Sequence, residues 1–176
     1  RTHAQVKVLP LSAGRVDGAL VRGLRDLDVT DLLGREHAPV DSDEIDHYLR
    51  DAVVLITGAG GSIGSEIARQ VATHQPGLLL LLDRDESLLY DVSTGPVADL
   101  TTNFETVLAD ICDQVRIQDL FEQYRPDVVF HAAALKHLPM LEAAPSEAFK
   151  TNVLGTRNVL QAAYEAGTPV FVNIST

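Results

Sequence analysis

Residues 57–64 read TGAGGSIG and set four glycines in eight positions. Glycine carries an entropic cost, so such density marks a place where another group must come close to the main chain. The flanks indicate what that group could be. AVVLI before the glycines reads as a buried strand, and SEIARQVATH after them reads as a helix. A helix that starts here offers free N–H groups and the positive end of its dipole, a setting that suits a diphosphate. Gly58, Gly61 and Gly64 fit G-x-x-G-x-x-G, one each for the turn, the close approach and helix–strand packing. The commoner G-x-G-x-x-G fails, because position 63 is Ile63. No G-K-[ST] follows, which excludes a P-loop. The plain alternative is a glycine turn that binds nothing.

Two acids extend this chemistry. Asp83 ends an apolar run roughly 20 residues further on, where a dinucleotide fold sets an acid on the ribose hydroxyls and so favours NAD over NADP. Arg84 could instead pair a 2′-phosphate, so the coenzyme is NAD or NADP. Asp83 could also be a simple loop acid or cap. Asp110 ends a later apolar run and could meet the adenine amino group or cap the following helix.

The elements that must hold these residues alternate from Ala52 onward. Strands are expected at AVVLI, LLLLLD, ETVLAD, DVVFHAAA and PVFVNIST. Between them, Ile63, Ile67 and Val71 would share a helix face, a helix is expected over 86–92, and Asp113 would cap a helix buried through Ile117, Leu120, Phe121 and Tyr124. A long helix is expected over 146–166, with Phe149, Val153, Leu160 and Ala163 roughly on one side and Gly167 as its stop. Strands apolar throughout, alternating with helices, specify an α/β fold: a Rossmann-like doubly wound parallel sheet. Residues 1–50 differ. QVKVLP could be a short strand, and short helices are expected near 29–33 and 42–50 within a charged stretch. The expected organisation is an arm or linker over 1–50, from a preceding domain, and a nucleotide-binding domain over 51–176.

Composition narrows the partners. A net charge of −11 opposes general nucleic-acid binding, because a phosphate backbone would be repelled. Cys112 is the only cysteine, so no intrachain disulfide can form, which fits a reducing, cytoplasmic setting. It is expected to be buried rather than reactive. No run of 18 apolar residues is present to span a membrane. His131 and His137 have no companion ligands at metal spacing, so both read as structural and no metal is expected.

Three stretches carry a resemblance: TGAGGSIGSEIARQ, HAAALKHLPMLEAAPSEAFKTNVLGTRNVLQAA and VNIST. Together they resemble the extended short-chain dehydrogenase/reductases, in the polysaccharide-biosynthesis branch of UDP-N-acetylglucosamine 4,6-dehydratases and related nucleotide-sugar dehydratase/epimerases. The resemblance covers about residues 51–176, and the KH.PM run is its specific part. It implies oxidation of the sugar 4-hydroxyl to a ketone, loss of water across carbons 5 and 6, and return of the hydride. The ketone makes the neighbouring C–H acidic enough for a general base.

Residue by residue, the resemblance implies that Gly58, Gly61, Ser62, Ile63 and Gly64 hold the pyrophosphate. Asp83 and Arg84 would flank the ribose, and Asp110 and Ile111 the adenine. Ala132, Ala133 and Ala134 would line the coenzyme, and Asn152 would stand behind the site. Lys136 would reach the nicotinamide or the substrate phosphates, with a surface lysine as the alternative, and Thr176 would bond the reacting hydroxyl. A UDP-N-acetylhexosamine is the implied substrate. The LRDLDVTDLLGR stretch resembles the segment before this domain in membrane-anchored members, so the parent is expected at the inner face of a bacterial membrane.

The family pattern continues beyond VNIST with ST-D-K and a later lysine, so the 176 residues alone are expected to be inactive. The apolar PVFVNIST strand is expected to be an open edge that favours self-association, which leaves a homo-oligomer open. Two other classes stay in view: a non-catalytic dinucleotide-binding or regulatory module, and an S-adenosylmethionine methyltransferase. The tight third glycine disfavours the methyltransferase.

Overall fold

The structure, a computed structural model, describes residues 7–8, 25–26, 42–95, 97–98 and 102–175. The chain divides into two compact units, Arg1–Val40 and Asp41–Thr176. In the first, β1 (Lys7–Val8) pairs antiparallel with β2 (Arg25–Asp26). The helix expected near 29–33 lies outside the described residues. The second unit begins at Asp41 rather than at 51, because α1 (Ser42–Leu49) packs with it. Leu49 is buried in its core, Ile45 packs beside it, and Asp46 pairs with His74.

The second unit continues with β3 (Val53–Thr57), α2 (Ser62–Thr73), β4 (Leu78–Asp83), α3 (Glu86–Thr94) and β5 (Phe104–Leu108). Then come α4 (Gln114–Tyr124), β6 (Val128–His131), α5 (Leu138–Ala143), α6 (Pro145–Ala148), a π-helical stretch Phe149–Gly155, α7 (Thr156–Ala166) and β7 (Val170–Asn173). The five strands β3–β7 form one parallel sheet in the order β5-β4-β3-β6-β7. The chain therefore winds one way from β3 through β4 to β5, then crosses back to β6 and β7. That reversal leaves a crevice at the C-terminal ends of β3 and β6, which is where such folds bind ligands.

The run LLLLLD shows why the central strands are apolar, whereas the edge strand β5 keeps Glu105 and Thr106 exposed. Leu79 and Leu81 point to one face, where they pack with Ala68 and Val71 of α2 and Leu89 and Val92 of α3. Leu80 and Leu82 point to the other, against Ile117, Leu120 and Phe121 of α4 and Val159, Ala162 and Ala163 of α7. Period-2 alternation with helices on both sides leaves no face for a polar residue. Each buried leucine contributes about 1.5–3 kcal/mol.

The long helix departs from expectation. Phe149, Val153 and Leu160 are exposed, whereas Thr151, Gly155, Asn158, Val159, Ala162 and Ala163 are buried. The buried row keeps helical spacing, from Thr151 and Gly155 to Asn158, Val159, Ala162 and Ala163, but lies on another face from Phe149 and Val153, so the expectation has the period and not the phase. Ile63 is likewise exposed, at 39%, because it sits at the open start of α2, while the buried row of that helix is Gly64, Ala68, Val71 and Ala72. Strand β6 stops at His131 rather than running through Ala134, and α5 was not anticipated. Among the described residues no helix is long and apolar enough to cross a membrane.

Candidate functional site

At the end of β3 the glycine loop is shaped by what lies against it. Gly58 takes a φ of +69°, and a Cβ there would come within 2.7 Å of the Ala133 backbone. Glycine serves both needs, the left-handed turn and the contact with the chain leaving β6. A Cβ on Gly64 would collide with the Gly58 carbonyl oxygen, so α2 can start this close to the turn only without one. Gly60 closes the loop on its other side. A Cβ there would stand 2.6 Å from Leu88 Cβ, and its N–H donates to Asp83 Oδ2 at 2.9 Å.

Gly61 is different. A Cβ there would meet only the Gly58 oxygen, at 3.2 Å, and otherwise open space. It is the N-cap of α2, yet no side chain caps this helix and no acid stands in its first turn. The N–H groups of the first turn and the positive dipole end therefore face outward.

Outward from Gly61 runs a groove of about 260 Å³, lined by Gly58, Gly61, Leu82, Asp83, Arg84, Asp110, Ile111, Ala132, Ala133, Ala134, Leu135 and Thr151 among others. It shares Gly61, Ala132 and Ala134 with a smaller recess of about 90 Å³, closed by Ser62, Ile63, Gly64, Lys136 and Ile174. The sheet order thus brings thirteen of the fifteen singled-out residues to one edge: Gly58, Gly61, Ser62, Ile63, Gly64, Asp83, Arg84, Asp110, Ile111, Ala132, Ala133, Ala134 and Lys136. Asn152 lines neither space, and Thr176 lies outside the described residues.

The two ends carry opposite charge. Asp83, Asp85 and Asp110 crowd the far end around Arg84, the one cation among the described lining residues, whose guanidinium lies 3.7 Å from Asp110 Oδ2. The near end has the bare helix start and Lys136, whose ammonium donates to Ser62 Oγ at 3.2 Å across the recess. Asp83 is fixed in place, since Oδ2 accepts from Gly60 N–H and Oδ1 from Asp85 N–H at 3.0 Å. Asp110 Oδ1 accepts from Cys112 N–H at 2.9 Å, and Asp113, not Asp110, caps α4.

Asn152 acts at one remove. Its Oδ1 accepts from Leu135 N–H and its Nδ2 donates to Leu135 O, both at 2.8 Å, so its amide pairs like a strand with the loop after β6. That loop carries the alanines and Lys136. His131 is 2% exposed and lies between Thr57 Oγ1 at 2.7 Å and Thr156 Oγ1 at 2.9 Å. Burial pushes its pKa down to about 4, so it is a neutral bolt joining β3, β6 and α7. His137 is the N-cap of α5. Cys112 is exposed, contrary to expectation, because it stands on the turn before α4. Partial burial and the Asp110 carboxylate push its thiol pKa up, away from a reactive thiolate. Among the described residues no cluster of three or more His, Cys, Asp or Glu could hold a metal ion.

Gly60, Leu135 and Thr151 were missed by sequence reasoning. Gly60 was legible as the fourth glycine of the loop, but a three-glycine pattern ignores it. Leu135 and Thr151 enter through tertiary contact alone. A larger hollow of about 560 Å³ lies between α3 and β5, with no glycine loop or cation among the described residues that line it.

The groove fits a dinucleotide: an open glycine at an uncapped helix start, alanines along one wall and anchored acids at the far end. A family model described as "Polysaccharide biosynthesis protein" matches residues 54–176. The chain is 40% identical over 178 residues to the "Probable polysaccharide biosynthesis protein EpsC" of Bacillus subtilis (strain 168), covering 99% of this chain and 30% of that protein. It is 32% identical over 124 residues to the "UDP-N-acetylglucosamine 4,6-dehydratase (inverting)" of Campylobacter jejuni, covering 70% of this chain and 36% of that one. The solved UDP-glucose-4-epimerase from Stenotrophomonas maltophila, with bound NAD and formylated UDP-arabinopyranose, is similar with a TM-score of 0.61 and 28% identity, over 71% of this chain and 37% of that chain. The chain spans about a third of the length of the relatives it matches.

Proposed function

This chain belongs to the family of polysaccharide biosynthesis proteins, and on that premise we propose that it is the NAD(P)-holding part of a nucleotide-sugar 4,6-dehydratase or epimerase acting in surface polysaccharide biosynthesis. One observation carries the reading: Gly61 leaves the start of α2 uncapped, open onto both the groove that holds the anchored acids and the adjoining recess that holds Lys136. When bound, the coenzyme supplies a hydride acceptor that returns the hydride to the sugar within one cycle.

The residues of this chain do the holding. Gly58, Gly61, Ser62, Ile63 and Gly64 would present main-chain N–H groups and bare surface to the diphosphate. The Asp83 carboxylate has acceptor capacity beyond its two backbone partners, enough for both ribose hydroxyls. Arg84 would flank that ribose. Asp110 and Ile111 would border the adenine, and Ala132, Ala133 and Ala134 leave room for the ribose and nicotinamide. Lys136 brings a positive charge to the near end, where substrate phosphates would be drawn. Asn152 would position the loop that carries Lys136. Thr176 would bond the reacting hydroxyl.

A UDP-N-acetylhexosamine is the proposed substrate of the whole protein, anchored at the inner face of a bacterial membrane. The 176 residues alone are expected to bind coenzyme without turnover, since they span so little of the relatives' length. Calorimetric titration with NAD⁺, NADP⁺ and S-adenosylmethionine tests the core of the reading. A dinucleotide should bind and S-adenosylmethionine should not; the reverse would overturn it. Incubation of the full-length protein with UDP-N-acetylglucosamine should yield a 4-keto-6-deoxy product.

A further inference from the structure

We propose that the Arg84–Asp110 ion pair selects the coenzyme, by holding Arg84, at the adenosine end of the groove, away from a 2′-phosphate. The proposal rests on the dinucleotide reading above and goes beyond it to the form of dinucleotide accepted. Among the described residues lining the groove, Arg84 is the only cation, facing Asp83, Asp85 and Asp110. Each of these three acids is anchored by a backbone N–H. Asp83 accepts from Gly60 and Asp85, Asp85 from Leu88 at 3.1 Å, and Asp110 from Cys112. None can swing away from an incoming anion without giving up a charge-assisted hydrogen bond.

A ribose with a free 2′-hydroxyl needs only an acceptor, which Asp83 provides. A 2′-phosphate brings further negative charge among fixed carboxylates and needs the Arg84 guanidinium as its partner. That guanidinium is held by Asp110 from the neighbouring strand, at 3.7 Å with both side chains about half exposed. The pairing is longer than a hydrogen bond, so it acts through charge and leaves the arginine movable. A 2′-phosphate must therefore compete with Asp110 for the Arg84 charge. Asp110 thereby sets the balance, although Asp83 is the acid that would touch the ribose.

The experiment measures the dissociation constants of NAD⁺ and NADP⁺ by titration calorimetry on the full-length protein. The unaltered protein should prefer NAD⁺. Asp110→Asn keeps an acceptor for Cys112 N–H but removes the charge. It should lower the ratio of the NADP⁺ constant to the NAD⁺ constant about tenfold, an effect that salt diminishes. Adding Arg84→Gln should remove most of that gain, because the freed guanidinium is its main source. Asp110→Ser, which also offers an acceptor to Cys112 N–H, gives the same readout if Asp110→Asn fails to fold. A ratio unmoved by Asp110→Asn, or a gain that survives Arg84→Gln, would overturn this proposal alone. An unaltered protein that binds neither dinucleotide would overturn it together with the dinucleotide reading.

Discussion

At the start of α4, the Asp113 carboxylate accepts the N–H of Arg116 at 3.1 Å, and at the start of α3 Asp85 does the same for Leu88. At the start of α2 the same position is Gly61, with no side chain to give and no acid in the turn that follows. All three helices begin at the C-terminal end of the sheet, within one unit. The difference is one of use. A capped start satisfies its own N–H groups and spends its dipole on its own carboxylate. On the reading proposed above, the uncapped start keeps both for the coenzyme diphosphate.

Leaving α2 uncapped costs stability, and the fold offsets that from outside the helix. Asp83 holds Gly60 N–H, Leu82 O receives Ala59 N–H at 3.0 Å, and Gly58 rests on the chain leaving β6. Beneath the loop, His131 ties Thr57 to Thr156. The capped starts have braces too, Asp83 on Asp85 N–H and Asp110 on Cys112 N–H, but add a carboxylate of their own at the N-cap.

Changes that attack the braces should cost more than changes that attack a cap. Gly64→Val places a side chain on the Gly58 carbonyl oxygen and should abolish coenzyme binding and soluble expression together. A variant that stays folded, by circular dichroism, with binding intact would break the contrast. Next in size is the His131 brace. Its pKa falls from an ordinary 6.5 to about 4 in the folded protein. Between those values the unfolded chain binds the proton and the folded chain does not. Stability should therefore be complete above pH 6.5 and fall by about 3 kcal/mol as pH drops to 4. Urea melts across this range should show that slope, and His131→Asn should flatten it relative to the carboxylate background. Smallest is the cap itself. Asp113→Ala should cost about 1 kcal/mol in urea melts and leave NAD⁺ affinity unchanged, since α4 offers its start to no ligand.

The same contrast marks what the sequence could disclose. Caps, apolar runs and glycine spacing are local, so Asp113, the five parallel strands and the open Gly61 could all be read from short windows. The parallel sheet was legible in its apolar strands, but its order around β3 is visible only in the fold. What escaped was set by contact at a distance. Phe149, Val153 and Leu160 satisfied a helical period of the wrong phase, and which face packs was decided by the sheet and α4. Thr151 and Asn158, polar and unremarkable in sequence, took the buried places, Asn158 by donating to Ile111 O at 3.1 Å. Asn152 was legible as a residue behind the site, but its pairing with Leu135 required the loop to fold back. The Arg84–Asp110 pair joins the ends of two strands that no linear pattern connects.

Gly61→Asp puts the whole contrast to one trial. Gly61 has φ −72° and ψ 165°, a backbone that any residue adopts, and a Cβ there meets only the Gly58 oxygen. An aspartate would give α2 the cap that Asp113 gives α4. Stability in urea and NAD⁺ affinity by calorimetry should then part company. The variant should be as stable as the unaltered protein, or up to about 1 kcal/mol more so, and bind NAD⁺ at least about 100-fold more weakly. A stable variant that binds NAD⁺ as before would contradict the claim that the diphosphate rests on this bare helix start.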